Sequence, residues 1–152
     1  MKITKEFPGL TQIANGDYVL EGDLISEEGI EVDLDDRLVV RGKVEAKKSI
    51  VVKLGLIAGC DIEAGWGIEA GWGIKAGWGI EAKQYIHAEK RIFAGVSVYH
   101  TSQNCEKTIK CAELRKGEIC YGDLVIEEPV VEMTIEEIEQ KLGIKNLKIK
   151  ER

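Results

Sequence analysis

The sequence predicts an all-β solenoid, a single-stranded triangular β-helix of hexapeptide repeats with a small C-terminal cap of hairpin, helix and strand. Three observations predict it. The hexad Ile62-Glu-Ala-Gly-Trp-Gly recurs at Ile68 and, with Lys for Glu, at Ile74, before Ile80-Glu-Ala. Stepping by six from Val32 meets Leu38, Val44, Ile50, Leu56, Ile62, Ile68, Ile74, Ile80, Ile86, Ile92 and Val98, all aliphatic. Two residues after each comes another apolar side chain, from Leu34 and Val40 through Ala46 and Val52 to a run of alanines ending at Ala94. Repeats of fixed period are the signature of stacked architectures.

Apolar residues at i and i+2 around a charged one have period two, so both point to one face of an extended segment. A helix would need spacings of three and four and would suffer from the glycines. The Gly pairs around each Trp are expected to bend the chain, since glycine takes positive φ without steric cost. Three hexads close one turn, and rungs stack about 4.8 Å apart. No insertion is expected between Val32 and Val98, and the Asp17–Ile30 stretch should form a looser preceding turn.

In order, residues 1–16 read as a lead-in, 17–98 as the solenoid and 99–152 as the cap. Within the cap, Thr108–Leu114 and Glu118-Ile-Cys-Tyr flank Gly117 and predict a β-hairpin over about 107–125. Thr134-Ile-Glu-Glu137 is a capping box, with Met133 and Ile138 spaced for a hydrophobic staple. It opens a helix over about 134–142, which Gly143 ends. Leu147-Lys-Ile149-Lys alternates as a strand would, over about 146–150. Such an appendix is expected to cover an open end or edge of the stack.

At 152 residues with 44% hydrophobic side chains, the chain can bury a core of its own. It has no apolar run of spanning length and no secretory h-region before Pro8-Gly9, so a cytoplasmic setting with reduced cysteines is expected. Net charge is −6, but Asp17 to Asp36 holds nine carboxylates and no Lys or Arg, whereas Lys141 to Arg152 holds five cations and one Glu. That polarity argues against a direct nucleic-acid binder with a broad basic face.

Four sets of residues are candidates for function. Trp66, Trp72 and Trp78 occupy equivalent positions on three corners and predict an aromatic girdle, which either contacts a partner or packs over neighbouring glycines. Val39, Ile57 and Phe93 share an outward column with Lys75, an apolar strip suited to a partner or a second copy. Glu31, Asp33, Asp35 and Asp36 form an acidic edge that could bind a cation such as Ca²⁺, imitate phosphates toward a basic protein groove, or keep ends from aggregating. Glu27, Glu45, Glu63 and Glu81 are expected to form a ladder, either solvated or cation-paired. His87, outside the coil above Glu69, is the one candidate base. His100, Cys105, Cys111 and Cys120 lack Cys-x-x-Cys spacing, so neither metal nor cofactor is expected.

The stretch Leu38-Val-Val-Arg-Gly-Lys-Val44-Glu-Ala-Lys-Lys-Ser-Ile50-Val-Val resembles the bactofilins, over about residues 17–60. This resemblance implies a right-handed triangular β-helix and self-assembly; spacing alone leaves the hand open. In the left-handed hexapeptide acyltransferases a small residue precedes the aliphatic, the reverse of the order here. The Gly-Trp repeats with Arg91-Ile-Phe-Ala-Gly95 and Gly117-Glu-Ile-Cys-Tyr-Gly-Asp-Leu124 also look like uncharacterised proteins of phages and mobile elements. The expectation is a non-enzymatic protein-interaction module that binds, and in one form inhibits, a host macromolecule in the manner of an anti-CRISPR protein. The alternatives are a bactofilin-like assembly and, further off, an acyltransferase acting through His87.

Overall fold

The computed structural model describes residues 1–96, 107–128 and 134–143. Two short strands, β1 (Lys2–Ile3) and β2 (Leu10–Gln12), lead into eleven three-residue strands. These are β3 (Tyr18–Leu20), β4 (Leu24–Ser26), β5 (Ile30–Val32), β6 (Leu38–Val40), β7 (Val44–Ala46) and β8 (Ile50–Val52). The rest are β9 (Leu56–Ala58), β10 (Ile62–Ala64), β11 (Ile68–Ala70), β12 (Ile74–Ala76) and β13 (Ile80–Ala82). Longer strands follow: β14 (Tyr85–Phe93), β15 (Thr108–Cys111), β16 (Glu113–Tyr121) and β17 (Asp123–Ile126), then the helix α1 (Ile135–Leu142).

Apart from β2, each strand pairs in parallel with the strand one turn away, as a three-faced coil requires. One face stacks β4, β7, β10, β13, β15 and β17, six rungs in all. Another stacks β5, β8 and β11 under the first half of β14, and the third stacks β3, β6, β9 and β12 under its second half. Ile62, Ile68 and Ile74 are at most 1% exposed, and the alanines two residues on are buried beside them. Large and small side chains in alternate columns fill the interior, as a close-packed core requires.

The six-residue count does break once. From Tyr18 to Leu38, Leu24 to Val44 and Ile30 to Ile50 the paired residues are twenty apart, whereas later pairs are eighteen apart. Five residues, Asp33 to Arg37, turn the corner between β5 and β6 where three serve elsewhere. The first rung strand there is Ile30–Val32 rather than Val32–Leu34, and Leu34 is buried at the widened corner. Ile30, Val32 and Leu34 all suit an inward position, so alternation alone did not choose between the registers. In consequence Ile25, not Glu27, lies beneath Glu45.

The hairpin expected over 107–125 is not formed. β15 pairs in parallel with β13 and β17 with β15, while β16 lies in parallel on β14. Gly117, expected as the turn, lies within β16 with φ 131°. The solenoid therefore runs on to Ile126 after a longer excursion, with Ile109 stacked on Ile80. The lead-in also joins the stack: β1 adds a parallel strand to β5, and β2 folds back antiparallel on β3. Phe7 and Leu10 pack against the core at this end.

The helix forms as its capping box dictates. The Thr134 hydroxyl accepts from the Glu137 N–H, the Glu137 carboxylate accepts from the Thr134 N–H, and Gly143 closes the helix in left-handed backbone. Met133, the side chain of Ile138, Val98 and the expected strand at 146–150 lie outside the described residues.

The glycines of the Trp hexads are needed for a reason other than positive φ, which Gly65 and Gly71 do not adopt. A Cβ on Gly65 would stand 1.9 Å from the Lys47 carbonyl oxygen, and one on Gly71 2.0 Å from that of Lys53. At these two positions the neighbouring rung's carbonyl stands too close for a side chain. Gly71→Ala should lower stability by about 1–3 kcal/mol through this overpacking. Gly79→Ala, whose new methyl would meet only ordinary contacts at 3.4 Å, should shift it little. Denaturant midpoints of the two variants check this, and equal midpoints would contradict it.

Candidate functional site

The hexad periodicity places outward side chains in columns, and one set of columns makes a groove. Val39, Ile57, Lys75 and Phe93 stand in register on β6, β9, β12 and β14. At the preceding corner the rungs place Leu54, Trp72 and Lys90 above one another, joined by Trp72 N–H to Leu54 O (3.0 Å) and Lys90 N–H to Trp72 O (2.8 Å). Between these columns Gly55 and Gly73 leave a floor without side chains, and a groove of about 330 Å³ opens over it. Trp72, half exposed, forms one wall, and Ile57 and Phe93 the other.

The groove's charge is all of one sign: Arg37, Lys75, Lys90 and Arg91 line it, and no carboxylate does. Arg37 is held through paired hydrogen bonds to buried Asp17, Nε to Oδ1 at 2.7 Å and the guanidinium NH2 to Oδ2 at 2.8 Å. Lys75, Lys90 and Arg91 form no ion pair with any described residue. A cationic groove on a chain of net charge −6 is a local inversion of the molecule's field.

The structure thus unites Trp72 of the expected girdle with Ile57 and Phe93 of the expected apolar column. Val39 continues that column toward the N-terminal end but does not line the groove. Trp66 is half exposed at the previous corner, in a separate hollow with Lys48 and Val51, and Trp78 is more deeply set at the next. The cations were legible but not read: eighteen residues beyond Trp72 and Gly73 stand Lys90 and Arg91, where Glu89-Lys-Arg replaces Gly-Trp-Gly.

The acidic edge is internally compensated. Lys2 reaches Glu31 at 3.2 Å and Asp33 at 3.8 Å, and Lys53 reaches Asp33 at 3.3 Å. Asp35 accepts from Lys5 at 2.6 Å and from the Tyr18 hydroxyl at 2.7 Å, which hold its pKa down to about 2. Asp36 accepts the Arg37 N–H at 2.8 Å. Among the described residues no group of three His, Cys, Asp or Glu converges as a metal site would. Cys111 is buried on β15, Cys120 exposed on β16 and Cys60 part-buried, while His100 and Cys105 lie outside the described residues. His87 sits on the outer face between Glu69 and Lys116, its Nε2 2.8 Å from Glu89. No helix among the described residues is long and apolar enough to cross a membrane.

Glu45, Glu63 and Glu81 do form a ladder, continued by Lys110. Lys43 at 2.8 Å and Lys47 at 3.2 Å flank Glu45 and lower its pKa. Burial raises that of Glu63, and the carboxylates of Glu45, Asp61 and Glu81 raise it further.

No protein family, curated protein or solved structure matches this chain. What stands of the sequence resemblances is the β-solenoid architecture.

With its folded-state pKa raised, Glu63 contributes stability that is complete below its ordinary value of 4.5 and is lost as pH rises through the folded value. Glu63→Gln should therefore stabilise the protein at neutral pH by about 0.5 kcal/mol, the scale of one like-charge cross-strand contact. The gain should vanish near pH 4, and denaturation across this range measures it.

Proposed function

We propose that the protein is a non-catalytic binding module whose solenoid holds the Trp72 groove rigidly against an acidic surface of a protein partner. One observation carries this reading: an exposed indole and two apolar side chains share a single hollow with Lys75, Lys90 and Arg91, none of which forms an ion pair with a described residue. Exposed Trp beside Arg is the composition of binding hot spots, and these cations favour an anionic face through steering and complementarity. The parallel rungs beneath keep these side chains in fixed register, so little order must be acquired on binding. A basic partner held by the acidic edge is disfavoured, because Lys2, Lys5 and Lys53 already occupy most of those carboxylates. Inhibition of a host macromolecule, as an element-borne counter-defence protein would achieve it, is one use of such a face.

Affinity capture from a bacterial lysate with the tagged full chain tests this, followed by measurement of the captured protein's affinity. Trp72→Ala should weaken binding at least about 30-fold, the loss of one hot-spot residue. Lys75→Glu with Lys90→Glu should abolish capture, while Asp33→Asn with Asp35→Asn should leave it intact. Capture that survives both groove variants would overturn the assignment.

A further inference from the structure

The two ends of the solenoid are finished differently. In the column that passes through Leu24, Val44, Ile62, Ile80 and Ile109, no side chain is more than 3% exposed, yet Leu124 at its top is 41% exposed. In the neighbouring column Ser26, Ala46, Ala64, Ala82 and Cys111 are all buried, and Ile126 above them is 52% exposed. Leu114 and Ile119, stacked on fully buried Ile86 and Ile92, are also only partly covered. Nothing among the described residues covers the last rung, which ends the solenoid's interior as an apolar ring. Among the described residues no strand pairs with the outer edges of β16 and β17. Natural sheets do not leave long apolar edges in this condition without a partner.

We propose that this end docks against the same end of a second copy of the chain, about a two-fold axis, with strand edges pairing antiparallel across it. The occupant has to supply both apolar side chains and free backbone donors and acceptors around a triangular outline. A helix such as α1 would cover apolar side chains without pairing the strand edges, and a short strand would cover one of the three faces. A second terminal rung matches the outline and chemistry of the first. It is the same end, because at the opposite one the interior side chains are covered: Ile3, Tyr18, Leu20 and Leu24 are buried there, and β1 and β2 pair over two of its three faces. The outer side chains of the rung, Glu113, Arg115, Lys116, Glu118 and Asp123, mix both signs and set up no repulsion between copies. The contact is isologous and closes at two copies rather than propagating.

Size-exclusion chromatography with light scattering on the full chain, over a wide concentration range, tests this. A dimer is expected, and Leu124→Lys with Ile126→Lys should return a monomer whose circular dichroism and melting remain cooperative. Ile25→Lys, a comparable exposed change on the first rung, should leave the dimer intact. A parent chain monomeric throughout would overturn the proposal. Hydrogen exchange protecting β16 and β17 in that monomer would assign the cover to the chain's own C-terminal residues. A dimer that survives the double variant, or assemblies that grow without limit, would equally overturn it.

Discussion

The structure depends on the narrowness of its interior. Three short strands per turn enclose a space that one aliphatic and one small side chain from each strand fill, and every turn stacks the same pair on itself. Because the stack is continuous, a change of residue number disturbs it least where side chains point away, at corners, although β16 also shifts register within its strand on β14. The five-residue corner at Asp33 to Arg37 is such a place, and the regular eighteen-residue turn holds from there to β14. The corners carry their own constraint. Backbones of adjacent turns come so close at Gly65 and Gly71 that a methyl group would collide with a carbonyl oxygen.

Outward positions answer to none of this, and there the chain spends its chemical variety. The same corner lattice that removes side chains at Gly55 and Gly73 supports Trp72 and Lys90 beside them. A depression with a glycine floor and an aromatic wall follows from the repeat itself. Its positive charge follows from the one turn in which Gly-Trp-Gly gives way to Glu-Lys-Arg. At the other end, lysines of the first five residues fold onto the carboxylates of the turn they cover. A run that looks strongly acidic in one dimension is largely compensated in three.

Much of this was legible. Ile62 to Ala94 announce their strands, corners and inward faces by period alone, and Thr134 with Glu137 announces the start of α1. The misreadings have physical causes. Ile30, Val32 and Leu34 satisfy two registers equally, and only the stacking of Ile30 on Ile50 separates them. The residues around Gly117 alternate as a hairpin would. What decides against one is the partner strand, β14, twenty-seven positions away from Ile119 at Ile92 and invisible to any local pattern. The groove needed the eighteen-residue step applied to charged side chains as well as to apolar ones.

The three near-identical hexads at Ile62, Ile68 and Ile74 make length a means of reorienting the molecule. Losing or gaining one such unit would leave the interior equally well filled, since each replaces its neighbour position for position. Every face beyond it would nevertheless swing by a third of a revolution against those before it. With one hexad removed, Ile57 would lie beneath Glu81 instead of Lys75, and the cationic groove would be split between two sides of the rod. Three units together would restore the alignment and change only the length of the rod.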